Sequence, residues 1–65
     1  MCEANVYLID DDGKERLFLE AVDKIIPTEN GLILENIFSE RKLLKAGIKE
    51  MALVEHKIVL EKLIG

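Results

Sequence analysis

Apolar and polar residues alternate along most of this chain in short runs, separated by turn-forming residues roughly every eight to twelve positions, which is the pattern of a small all-β domain. Residues 4–10, Ala-Asn-Val-Tyr-Leu-Ile-Asp, are rich in β-branched and aromatic side chains and predict a first strand. Asp11-Asp12-Gly13 follows as a hairpin turn, because aspartate and glycine tolerate the positive φ that tight turns need. From Arg16 to Val22 the pattern has period two, with Leu17, Leu19 and Ala21 on one face and Phe18, Glu20 and Val22 on the other. The chain stays extended through Asp23–Ile26, since Pro27 pushes its predecessor toward the β region. Glu29-Asn30-Gly31 predicts a second turn, Leu32–Phe38 the next strand, and Ser39-Glu40-Arg41 a third turn.

The stretch 42–54 admits two periods. Leu44, Ile48 and Met51 fall at i, i+4 and i+7, as on one face of a helix. Read as strands, Leu44, Ala46 and Ile48 alternate with Lys45 and Lys49, and Gly47 sits at a bend or bulge. The regular punctuation of the rest of the chain decides for strands. Glu55-His56-Lys57 is then the last turn and Ile58–Ile64 the closing strand. Residues 1–65 read as one domain, a small barrel of about five to seven short antiparallel strands.

Composition adds a constraint. A domain of 65 residues buries only about 60% of the surface its unfolded chain exposes, so it needs a disulfide, a metal or a partner copy. One cysteine cannot form an internal disulfide, and one cysteine with one histidine falls short of a four-ligand zinc site. Homodimerisation is the remaining aid, and a hydrophobic content of 49% supplies surface for it. The net charge of −4, with basic residues interspersed among acidic ones, argues against binding nucleic acid through phosphate contacts. No secretory signal precedes the first strand, and no apolar run approaches the roughly 18 residues of a membrane span. An unpaired thiol suits a reducing compartment, so the expected location is the cytoplasm.

Candidate chemistry is sparse. Asp10-Asp11-Asp12-Gly13 fails as a calcium loop, because aligning Gly13 with the loop glycine puts Leu8 and Leu19 where ligating oxygens are required. The glycines are too scattered for a phosphate loop. Cys2 and His56 lie at opposite ends of the chain, and His56 reads as a turn residue. No nucleophile, base and anion-stabilising group can be placed together, so an enzyme is not expected. An adaptor binding RNA or peptide through a sheet face or free edge is the alternative class. Cys2 differs because of its position. If Met1 is retained, the Met1 amine, the backbone nitrogen of Cys2 and the Cys2 thiolate can close two fused chelate rings on one ion. Thiolate with nitrogen donors in a near-square plane suits Ni(II) or Cu(II) over calcium, magnesium or zinc. Three donors leave a fourth position, which a second Cys2 fills if two amino termini converge on a two-fold axis; a shared site with two donors from each chain is the other arrangement.

The start, Met1-Cys2-Glu3-Ala4-Asn5-Val6-Tyr7-Leu8, and the end, Leu53-Val54-Glu55-His56-Lys57-Ile58-Val59-Leu60, with the spacing between them, resemble the CooT family of small nickel-binding proteins. That family takes its name from an accessory factor of carbon monoxide dehydrogenase. The resemblance covers essentially the whole chain, and Met-Cys at the start is its one chemical motif. It implies an SH3-like β-barrel that dimerises and holds one Ni(II) per dimer through the residue corresponding to Cys2. The implied role is delivery of nickel to the Ni-Fe-S cluster of the dehydrogenase, with that enzyme or its maturation proteins as partners.

Overall fold

The computed structural model describes residues 3–62. Six strands follow one another: β1 (Ala4–Ile9), β2 (Glu15–Thr28), β3 (Gly31–Asn36), β4 (Arg41–Leu44), β5 (Ala46–Ala52) and β6 (Lys57–Lys62). They form one sheet in the order β4-β3-β2-β1-β6-β5. The all-β expectation holds, and the 42–54 stretch is strand rather than helix as far as Ala52, broken at Lys45, with Leu53 and Val54 in the following turn.

Two features of the expected barrel are corrected. The sheet is not closed, because β4 and β5 share no ladder. These two strands occupy opposite edges of the sheet yet are joined in the chain by Lys45 alone. Strands linked by a single residue run end to end and cannot pair side by side, so the sheet curls to bring its edges to one hinge without closing. The pairing is also not wholly antiparallel. β1 runs parallel to β6, from Asn5↔Lys57 to Ile9↔Glu61, with the four intervening strands serving as the crossover.

β2 is one long strand that changes role part-way. As far as Val22 it pairs with β1, and from Val22 to Thr28 with β3. Register shifts on both sides let it bend, and Ala21 takes a left-handed φ of 56° at the corner. The shifts break the simple alternation of Arg16–Val22: Leu19 and Val22 are both buried, whereas Leu17 points outward. Pro27 lies beyond the reach of β1, on a side of β2 that pairs with no strand among the described residues, where a missing N–H costs no ladder bond. Val6, Leu19, Val22, Leu34, Ile58 and Leu60 make the centre of the core, drawn from four strands. Gly31 is required where it stands, since φ is +131° and a Cβ would meet the Leu44 carbonyl oxygen at 2.5 Å.

The Asp10–Gly13 segment is a hairpin turn. Asp10 Oδ1 accepts N–H bonds from Asp12 (3.0 Å) and Lys14 (3.1 Å), and Arg16 Nε donates to Asp10 Oδ2 at 2.6 Å. These bonds, the Arg16 one foremost, hold the Asp10 carboxyl below its ordinary range. Strand β3 stops at Asn36, two residues short of the expected end, because Asn36 turns the chain with its own side chain. Gly47 sits inside β5 opposite Glu61; the break falls at Lys45 and the bulge between Ile48 and Glu50.

Candidate metal centre

Met1 and Cys2, the residues singled out for metal, lie outside the described residues. The described chain begins at Glu3, one residue past the thiol. Asn5 N–H donates to the His56 carbonyl (2.9 Å), Ala21 N–H to Asn5 Oδ1 (3.2 Å), and Ile37 N–H to the Ala21 carbonyl (3.0 Å). This row of bonds ties together the start of β1, the corner of β2, the β3–β4 turn and the β5–β6 turn at one end of the molecule. Glu3, Ala4, Val22, Leu53, His56 and Lys57 line a mainly apolar pocket of about 260 Å³ there.

His56 and the amino-terminal strand are therefore brought together, although they are far apart in sequence. The cause is the parallel pairing of β1 with β6, which places the β5–β6 turn beside Glu3. No local signal announces this, because a parallel pair between first and last strands leaves no turn signature. His56 is exposed and takes φ of 55°, with its N–H donating to the Leu53 carbonyl at 3.2 Å. The turn spans 53–56, earlier than the expected Glu55–Lys57, and its apolar members Leu53 and Val54 are 71% and 94% exposed.

Lys57 supplies the pocket's cation. Its Nζ lies 2.8 Å from a Glu15 carboxylate oxygen and 5.1 Å from the centre of the Tyr7 ring. The Glu15 bond raises its pKa above the ordinary lysine value, so it remains an ammonium and offers no lone pair to a metal. Among the described residues, no three His, Cys, Asp or Glu side chains come together as a metal-binding group. Glu3 and His56 are the pocket's potential ligand side chains.

The model of the CO dehydrogenase accessory protein CooT matches residues 1–61. The chain belongs to the CooT family. A crystal structure of a protein provisionally named CooT, from Carboxydothermus hydrogenoformans, is 57% identical to it. That likeness covers 97% of this chain and 100% of the other, with a TM-score of 0.89. No curated protein matches. CooT is an accessory protein of CO dehydrogenase and not a catalytic family. No helix among the described residues is long and apolar enough to cross a membrane.

Proposed function

We propose that this chain is a homodimeric Ni(II) carrier of the cytoplasm, supplying the ion for the Ni-Fe-S cluster of CO dehydrogenase. Cys2 thiolates, with the Met1 amine or backbone nitrogens, form the site. The observation that carries the reading is the match to an accessory family over residues 1–61, a span that includes the chain's one thiol. Two features support it. Among the described residues no three His, Cys, Asp or Glu side chains come together, which supports a soft site built on the Cys2 thiolate. The end of the molecule that carries Glu3 also exposes Ile37, Phe38, Leu53 and Val54, apolar surface suited to a second copy. In a site shared across two chains at an exposed end, ligand exchange is easy, which suits a protein that must hand its ion on.

Equilibrium titration of the reduced protein with Ni(II), followed by native mass and by ultraviolet thiolate-to-metal bands, tests the reading. One ion per two chains is expected. Cys2→Ser is expected to lose stoichiometric binding while keeping the far-ultraviolet signature of the folded sheet. Nickel binding by the serine variant as tight as wild type overturns the assignment of the site.

A further inference from the structure

The chain's single histidine stands where glycine is the easier residue. His56 closes the Leu53–His56 turn with φ of 55°, a conformation that glycine takes without a Cβ penalty. Its backbone is anchored, because the His56 carbonyl accepts the Asn5 N–H at 2.9 Å and so fixes the turn against the start of β1. Its side chain is exposed and makes no hydrogen bond among the described residues. His56 and Glu3 line the same pocket of about 260 Å³, and Ala4, Val22 and Leu53 give it apolar walls.

An imidazole nitrogen and a carboxylate oxygen on one pocket are a donor pair for a borderline divalent cation. Imidazole suits nickel, copper and zinc, and the carboxylate supplies an opposite charge that apolar walls strengthen. Two protein donors leave the other positions to water, so an ion held here is weakly bound and exchanges fast. Lys57 also lines the pocket, but its Nζ lies 2.8 Å from Glu15 and 5.1 Å from the centre of the Tyr7 ring. Neither Glu15 nor Tyr7 lines the pocket, so that ammonium is held toward them and offset by a carboxylate. Cys2 is one peptide bond from Glu3, a separation of about 3.8 Å between Cα atoms.

We propose that Glu3 and His56 form a second, labile site for a divalent cation, which takes up nickel first and passes it to Cys2. The hand-off rests on the carrier reading above, whereas the Glu3–His56 site does not. On entry, a ring nitrogen of His56 and a carboxylate oxygen of Glu3 displace two waters from the ion. On transfer, the thiol proton of Cys2, and the proton of any backbone amide that binds, leave to solvent as sulfur and nitrogen lone pairs replace the two entry ligands. A donor set that must shed protons closes slowly, and an ion held one residue away raises the concentration on which it draws. Such a role gives the turn a reason to carry histidine that its backbone shape does not.

Nuclear magnetic resonance of the untagged, isotope-labelled Cys2→Ser protein, titrated with Ni(II) to millimolar concentration, tests the site. Nickel held by nitrogen, oxygen and water carries unpaired electrons and broadens nearby proton signals, whereas a square-planar thiolate complex carries none. The ring protons of His56 and the amide of Glu3 are expected to broaden before the amides of the Asp10–Gly13 turn, an exposed carboxylate cluster that serves as the internal control. Adding His56→Asn, which suits the left-handed turn, or Glu3→Gln is expected to remove that preference. With Cys2 in place, His56→Asn is expected to slow the appearance of the thiolate-to-metal bands roughly tenfold and to leave their final height unchanged. Broadening at His56 no stronger than at the Asp10–Gly13 turn overturns the site, and an unchanged rate in His56→Asn overturns the hand-off. Absence of thiolate bands in the wild type overturns the carrier reading instead, and the ring signals still decide the site.

Discussion

Two turns at the same end of the molecule share a backbone shape and differ in how they are held. In Asn36–Ser39 the last N–H donates to the first carbonyl at 3.1 Å, and Ser39 has φ of 68°. In Leu53–His56 the equivalent bond is 3.2 Å, and His56 has φ of 55°. The first turn is clamped by its leading side chain. Asn36, 2% exposed, accepts N–H bonds from Phe38 (3.0 Å) and Glu40 (2.9 Å) on Oδ1. Its Nδ2 donates to Glu40 Oε1 (2.7 Å) and the Glu20 carbonyl (3.3 Å). The second turn begins with Leu53, which has no hydrogen-bonding group, and among the described residues no side chain bonds into it. The clamped turn fixes the corner of β2; the unclamped one presents apolar surface next to Glu3. Side-chain bonding is concentrated where the sheet bends and, among the described residues, is absent from the turn beside Glu3.

The strongest way to break the comparison is Asn36→Ala. It strands four part-buried hydrogen-bonding groups on Phe38, Glu40 and Glu20, so the expected loss is about 3 kcal/mol, a large fraction of what a domain this small holds. Urea unfolding measures it, and a loss below about 1 kcal/mol would mean that the clamp is ornamental. Val54→Asp is expected to leave monomer stability within about 0.5 kcal/mol, because the side chain is already in water. The same change should weaken self-association by roughly tenfold or more if Val54 is buried between copies, as sedimentation would show. Unchanged association would remove this face from the proposed contact between copies.

The flanking ion pairs sharpen the contrast through pH. Glu35, just before the clamped turn, is held below the ordinary glutamate value by its Arg41 hydrogen bonds and then by Lys24. Its contribution is therefore present above the unfolded pKa, near 4.5, and disappears as pH falls through the lower folded value. Lys57, just after the unclamped turn, is raised by Glu15, so its contribution is present below about 10.5 and lost as pH climbs through the folded value. Thermal melts of Glu35→Gln and Lys57→Met check this. The glutamine variant should converge on wild type in acid, the methionine variant in alkali, and the reverse order would sink the assignment. Both pairs are exposed, so the effects are small.

Much of this was legible in the chain. β1, β2, β3 and β6 follow from alternation and turn chemistry, because local patterning sees what neighbouring residues do to one another, whereas 42–54 fitted a helix as well and gave no sign of the break at Lys45. The register shifts around Phe18 and Ala21 were not legible, since a bulge is fixed by both flanking strands at once. The role of Asn36 was hidden for a related reason: asparagine inside an apolar run gives no sign that four partners will converge on it. The parallel pairing of β1 with β6 was invisible, and with it the meeting of Glu3 and His56. Cys2 was found by its position and its donor set, which need no fold.

His56→Gly offers the subtlest test of the unclamped turn. A non-glycine residue in the left-handed region costs about 1–2 kcal/mol, which glycine avoids. Glycine also loosens the unfolded chain, which takes back roughly 0.4–1 kcal/mol. The expected net is a gain of about 0.5 kcal/mol, read from urea unfolding. Ser39→Gly should gain no more, because the Asn36 clamp already dictates that turn. A glycine there would stabilise the fold, so the presence of histidine is not explained by stability. If every donor comes from residues 1 and 2 of two copies, as proposed, His56→Gly is expected to take up nickel in the same ratio as wild type. A loss of nickel in that variant, with the sheet intact and the turn more stable, would instead bring the imidazole into the site and make the unclamped turn part of it.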